Sequence, residues 1–437
     1  MAKPRKKFGV FTLTMLVVGN AIGAGVYTTS GFALADLGNR NWVMAAWVVG
    51  GFIALCGAIS YGMLARRLTE SGGEYLYLSR SLHPAAGMIA GWVSLIAGFT
   101  GAIAFAATAF QAYAKSVHPV FEAMPAESLA IGSIIFSGLI HLARAQFGAA
   151  VHDLIVSIMI IALVGLCLFA TWLFAGGSWQ PSTADSYTAE FNLSVFAHSL
   201  VWISLSYSGF NAAVYVAGEA KDAVNAIPRA MIFGTILTII LYVALNAVFL
   251  YAPEPSAIAG QPEIASIAAE ALGGSQLRVT IEFIICLSLL SSITAMLLAG
   301  PRVYAKMSQD GVFPRIFAAD SGGIPRTSIL LQMSLGCLLV LITDLQGLLS
   351  YLGFTLSLSL ALAVSTLFIR HIRFGECPNS IFYPIAPIIF ISATVLFSGL
   401  SAIREPVQLI AAAGTVLLGF GWYISRKTYF ISRQKQM

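Results

Sequence analysis

The stretch GNAIGAGVY, Gly19–Tyr27, lies in the middle of the first apolar segment of the chain and puts three glycines into seven positions. Glycine inside a helix costs roughly 0.5–1 kcal/mol relative to alanine, so a segment long enough to cross a bilayer weakens its own centre. Two readings account for this. Gly19 and Gly23 form a GxxxG pair of the kind that lets membrane helices pack closely, or the helix is interrupted here.

The class of the protein follows from composition. Hydrophobic residues make up 58% of the 437 and charged residues 10%, with a mean hydropathy of +0.84, far from the roughly 25% charged of an ordinary soluble domain. Twelve charge-free windows run along the chain, at 8–35, 41–65, 81–114, 128–143, 154–184, 191–218, 230–253, 283–301, 327–343, 345–369, 377–403 and 406–425. Most exceed the roughly 18 apolar residues a spanning helix needs; the fourth and ninth are shorter. The fold class expected is an all-α integral membrane protein of 12 transmembrane helices. The run after MAKPRKKF is too long for a secretory signal and reads as an uncleaved first span.

With the N-terminus inside, twenty of the 24 Lys and Arg residues fall in cytoplasmic segments, including Lys3, Arg5, Lys6, Lys7, Arg144 and Lys435, against Arg40, Lys115, Arg278 and Arg404 outside. That asymmetry is the positive-inside rule and puts both termini in the cytoplasm of a cell (inner) membrane. The net charge of +5 therefore requires no nucleic-acid partner. Five cysteines, four of them inside spans, make no disulfide framework. Metal-ligand spacings, a phosphate loop and a nucleophile set are all missing from the sequence, which leaves an enzyme little to stand on.

A second irregular stretch, SLSYSGFNAAVYVAGE at Ser204–Glu219, puts Ser206, Ser208 and Gly209 where apolar residues belong in the sixth span. Spans 1 and 6 open two five-span halves of opposite direction, and paired interruptions at matching places mark a transporter site. Broken backbone at membrane depth survives only beside a cavity or ligand. In span 1 the half before the break offers carbonyls near Ala21 and Ile22, and the half after it offers N–H groups at Ala24, Gly25 and Val26. In span 6 carbonyls end the first half at Leu205, Ser206 and Ser208. Carbonyls suit an ammonium and N–H groups a carboxylate, so an α-amino acid zwitterion matches; a bulky residue at Gly25 would keep the carboxylate from the backbone.

At these residues the chain resembles the amino acid–polyamine–organocation superfamily, closest to its L-type and serine/threonine-exchanger-like permeases. The resemblance is carried by GNAIGAGVY, ESGGEYLYLSRSLHPAAGMIAGW, GEAKDAVNAIPRAM, AGPRVYAKMSQDGVFP and YPIAPI in family order, and it covers nearly the whole chain. It implies a LeuT-type 5+5 inverted repeat with broken helices 1 and 6: a transport core at 1–370, made of repeats at about 8–175 and 191–370, with two peripheral helices and a cytoplasmic tail at 371–437. Alternating access by rocking a bundle against a scaffold goes with that fold. It further implies that Gly23, Ala24 and Gly25 bind the substrate carboxylate and that Leu205, Ser206 and Ser208 lie at the amino group. Met159 stands where many relatives carry a lysine near the cation site, Leu205 where relatives often have an aromatic gate, and Ser208 where they have an acidic residue or glycine.

Other residues keep two readings each. Ser291 and Ser292, with the carbonyls of Gly19 and Ile22, form a candidate sodium site, or bond back to their own helix. His198 is a sensor of external pH or a satisfied packing residue. Glu282 pairs with Arg278 four residues earlier. Glu219, Lys221, Asp222 and Arg229 form an inner gate or a solvated loop, and Asn20 stabilises the break or packs. The expected function is secondary transport of neutral L-amino acids, ranked as exchange, then sodium symport, then proton symport. No cofactor beyond a coupling Na+ or H+, no metal site and no obligatory protein partner is expected. A passive channel and a sensor without transport are the competing classes; neither filter repeats nor a signalling appendage is present in the sequence.

Overall fold

The computed structural model describes residues 8–143, 149–177, 190–318 and 325–434. Lys3, Arg5, Lys6, Lys7, Arg144 and Lys435, counted above for orientation, and the end of the window at 154–184 lie outside them. Among the described residues the structure is helical, with one isolated bridge between Phe8 and Ala220. The elements are α1 (Val10–Ala21), α2 (Ala24–Leu37), α3 (Arg40–Ala65), α4 (Gly73–Ser81), α5 (Pro84–Val117), α6 (Ser128–Ala143), α7 (Ala149–Ala175) and α8 (Leu193–Tyr207). A 3₁₀ segment, Ser208–Glu219, continues α8; α9 (Ala223–Tyr251), α10 (Ile264–Gln309), α11 (Arg326–Ile342), α12 (Leu345–Phe374), α13 (Ile385–Arg404) and α14 (Pro406–Gln434) follow.

Among the described residues, ten helical stretches are long and apolar enough to cross a membrane, α1 and α2 counting together, and α6 and α11 are shorter apolar helices. These two match the fourth and ninth sequence windows, the short ones. The 46 residues of α10 would run roughly 70 Å if straight. The helix bends instead at Gly273 and Gly274, the latter at φ 68°, so a short arm precedes the spanning part.

Three helix starts away from the centre are closed by side chains: Asn39 accepts from the Asn41 N–H at 2.8 Å, Asn192 from Ser194 at 2.9 Å and Asp344 from Gly347 at 2.7 Å. Such caps satisfy backbone donors that a helix cannot satisfy itself. At the centre, α9 runs along α1 and α3, while α8 packs against α2, α3, α12 and α13. A buried polar thread fixes α2 in this core: the Trp47 indole donates to Ser30 at 2.7 Å, Ser30 bonds Asn246, and Tyr207 donates to the Trp47 carbonyl at 3.1 Å. Buried polar groups satisfied in this way specify one packing.

Candidate functional site

The first span is broken for two residues. Ile22 (φ −72°, ψ 84°) forms a tight turn in which the Gly23 N–H donates to the Ala21 carbonyl at 2.8 Å, an inverse γ-turn. Gly23 then stands in extended backbone as the residue before α2, with no side chain capping that helix. The first-turn N–H groups at Ala24, Gly25 and Val26 thus lack the closure that Asn39, Asn192 and Asp344 give their helices.

The second interruption has a different form. The chain does not open into a loop after Leu205 and Ser206; α8 ends at Tyr207 and tightens directly into the 3₁₀ segment. A 3₁₀ helix has poorer hydrogen bonds than an α-helix, so local support is reduced here without a gap. The two interruptions touch. A Cβ built on Gly25 would lie 2.9 Å from the Ser206 Cα, and one on Gly209 would lie 2.3 Å from the Ala21 nitrogen. Glycine is needed at both places for backbone contact between spans 1 and 6. Gly25→Leu would thus collide with span 6 as well as with any carboxylate. Gly23 has room, its nearest neighbour being the Ser292 hydroxyl at 3.7 Å.

The carbonyls at the breaks already have partners. The Tyr242 hydroxyl, from α9, bonds the Ala21 carbonyl and lies 3.1 Å from that of Ser206, linking the two broken spans. Ser292 donates to the Ile22 carbonyl at 3.3 Å; Ser291 is half-buried beside it. Gly19, Ala21, Ile22, Ala24, Gly25, Leu205 and Ser206 are buried, as is Met159 in α7, while Gly23 and Ser208 are half-buried. The Ser206 hydroxyl sits 3.2 Å from that of Thr29.

A cavity of ≈ 80 Å³ opens next to the breaks. Asn20, Ser208 and Gly209 line it at the breaks, Ser94, Gly98 and Phe99 line it from α5, and Glu74, Asn211 and Tyr215 share its wall. The α5 stretch Ser94–Gly101 is π-helical, a wider form that recurs at functional sites. Asn20 bonds back to the Leu16 carbonyl at 2.9 Å while facing the cavity. Of the substrate-binding residues expected from sequence, Ser208 borders this cavity, while Ala21, Ile22, Gly23, Ala24, Gly25, Leu205 and Ser206 are not on its wall.

Glu74 is the residue sequence reasoning missed. It lies in α4, outside every charge-free window, yet is 3% exposed and among the described residues is the one acidic or basic side chain on the cavity wall. Tyr242 was missed as well, because a tyrosine in an apolar span looks like core. Glu282 does pair with Arg278 at 3.5 Å and accepts from Ser116 at 2.8 Å. His198 is buried in the interior, its Nδ1 2.8 Å from the Ser401 hydroxyl and its Nε2 3.2 Å from Glu405 without a hydrogen bond. Among the described residues no group of His, Cys, Asp and Glu side chains is placed to hold a metal.

Residues 8–420 match the family model described as amino acid permease. The human "Large neutral amino acids transporter small subunit 2" is 24% identical over 435 residues, covering 96% of this chain and 80% of its own. The "Serine/threonine exchanger SteT" of Bacillus subtilis (strain 168) is 24% identical over 425 residues, covering 94% and 95%. Among solved structures, that of Mhp1, a nucleobase-cation-symport-1 family transporter, superposes with a TM-score of 0.61 at 14% identity, covering 98% of this chain and 95% of that one. At that identity the likeness is one of fold.

Proposed function

The chain belongs to the amino acid permease family, whose members are membrane transporters and not enzymes, and from that premise we propose that it exchanges neutral L-amino acids across a cell membrane by alternating access. The observation that carries this reading is the uncapped start of α2 abutting the carbonyl ends of α1 and α8 beside a cavity. Opposed N–H and C=O ends fit a zwitterion, anion toward the positive helix end and cation toward the carbonyls. In this proposal Gly23, Ala24 and Gly25 hold the carboxylate, and Ala21, Ile22, Leu205, Ser206 and Ser208 surround the ammonium. Tyr242 keeps the two carbonyl ends together.

The architecture we propose has twelve spans, α6 and α11 crossing as short helices. It is divided into a 1–370 inverted-repeat core and 371–437 peripheral helices, with both termini cytoplasmic. The names of these relatives, one for large neutral amino acids and one for serine and threonine, support a neutral substrate. Sodium symport is the second reading, favoured by the Ser292 contact with the Ile22 carbonyl. No cofactor beyond such an ion is required.

Radiolabelled leucine and serine uptake into proteoliposomes, competed by a panel of amino acids, tests the substrate class. Neutral L-amino acids are expected to compete. Preferential uptake of arginine or putrescine would overturn the reading.

A further inference from the structure

The Glu74 carboxyl joins three elements on the α4 side of the cavity. One oxygen accepts from the Tyr61 hydroxyl of α3 at 2.8 Å and from the Asn211 amide at 2.7 Å. The other accepts from the Tyr215 hydroxyl at 2.7 Å. Asn211 and Tyr215 are four residues apart on the 3₁₀ segment and also meet each other at 3.2 Å. A buried carboxyl group is costly unless its oxygens find donors, and these three donors come from α3 and the 3₁₀ segment. The position of the 3₁₀ segment is thus tied to one side chain.

Further contacts fasten the same segment at the same end. The Ser71 hydroxyl, just before α4, accepts from the Gly218 N–H at 3.0 Å. The Tyr215 ring lies so close to Gly73 that a Cβ there would stand 2.3 Å from it, and Phe99 meets its other side at 5.4 Å. Phe8, at the entry to α1, bonds Glu219 and Lys221 through the backbone at 3.2 and 3.0 Å, so the start of span 1 and the end of the 3₁₀ segment share this anchorage. With weak internal bonds, the 3₁₀ segment relies on such outside partners.

We propose that Glu74 is the latch that closes the cavity at its α4 end. The bonds to Asn211 and Tyr215 hold the 3₁₀ segment against α4, and both must part before the segment can swing away and open the cavity to water on that side. Glu74 is a positioning residue in this scheme: it acts on the path, and the substrate is held at the breaks. The inference rests on the transport reading of the site.

The test uses the full-length protein in proteoliposomes, comparing wild type with Glu74→Ala and with the milder Tyr215→Phe, which removes one latch bond and keeps the ring. Side-specific KM values for serine or leucine are read together with amide hydrogen exchange over residues 208–219. A latch removed shifts carriers toward the state open at the α4 end. KM then falls on that side and rises on the other, their ratio moving by about tenfold in Glu74→Ala and less in Tyr215→Phe, with faster exchange over 208–219. A merely structural role lowers the maximal rate and leaves the ratio of KM values unchanged. Should Glu74→Ala fail to fold, Tyr215→Phe decides alone. An unchanged KM ratio with unchanged exchange overturns the latch while wild-type uptake stands. Absence of wild-type uptake of any neutral amino acid overturns the transport reading, and the latch with it.

Discussion

Gly209 lies against Ala21 so closely that a Cβ on Gly209 would stand 2.3 Å from the Ala21 nitrogen and 2.5 Å from the carbonyl carbon of Asn20. This is where the two interrupted spans meet, and backbone cannot move aside as a flexible side chain can. Gly209→Ala is therefore expected to lower thermal stability by about 1–3 kcal/mol, the usual cost of overpacking, and to weaken substrate binding at the displaced breaks. Gly23→Ala, by contrast, meets only a hydroxyl at 3.7 Å and should melt close to wild type. Equal melting temperatures for the two variants would show that the spans do not touch as described.

Tyr242 spans the carbonyl ends of both breaks through one hydroxyl. Tyr242→Phe keeps the ring among Trp47 and Tyr207 and removes the donor shared by the Ala21 and Ser206 carbonyls, Ala21 keeping only the Gly23 N–H, at a cost of about 1–3 kcal/mol. We predict a substrate Kd raised by about tenfold in protein that remains folded and inserted. Unchanged affinity measured by ligand-induced thermal shift would detach Tyr242 from the site.

Ser292 decides between two modes of coupling. Its hydroxyl donates to the Ile22 carbonyl, so its proton occupies the direction in which a cation would lie. Exchange predicts that replacing sodium by potassium leaves wild-type uptake unchanged and that Ser292→Ala shows no new sodium dependence. If wild-type uptake requires sodium and Ser292→Ala abolishes it, the serine is an ion ligand and the sodium reading takes over.

Outside the spans, Glu376 receives two bonds from Arg370 at 2.9 and 3.0 Å and one from Arg67 at 2.6 Å. Hydrogen bonding to Arg370, then Arg67 and the charges of both, holds its carboxyl below the usual carboxylate range. A depressed folded value means the stabilisation is present above the unfolded pKa of about 4.3 and is lost as pH falls through the lower folded value. The melting-temperature gap between wild type and Glu376→Gln should accordingly be full at neutral pH and shrink in acid. A gap that widened below that range would reverse the sign and refute the assignment.

The break in span 1 could be read from sequence because it is local: three glycines in seven positions mark where a helix lacks support. The long helices were also legible, as was the shortness of α6 and α11, since an apolar run carries its own length. Span 6 was read only in part. SLSYSGF signals an interruption, but the choice of a 3₁₀ continuation over an open loop depends on outside partners, chiefly Glu74 and Gly73. Glu74 escaped because its burial comes from α3 and from residues about 137 to 141 positions away in the chain, while its own neighbourhood is short and polar. The role of Gly25 was half seen: its missing side chain serves contact with Ser206, which no pattern within span 1 reveals.

The central claim is that the junction of the two broken spans carries amino acids by exchange. Its most direct test is uptake of radiolabelled serine or leucine into proteoliposomes preloaded or not with the same amino acid, under a sodium gradient, a pH gradient or neither. The account predicts strong stimulation by internal substrate and no response to either gradient. Uptake that ignores internal substrate and follows a gradient would contradict it.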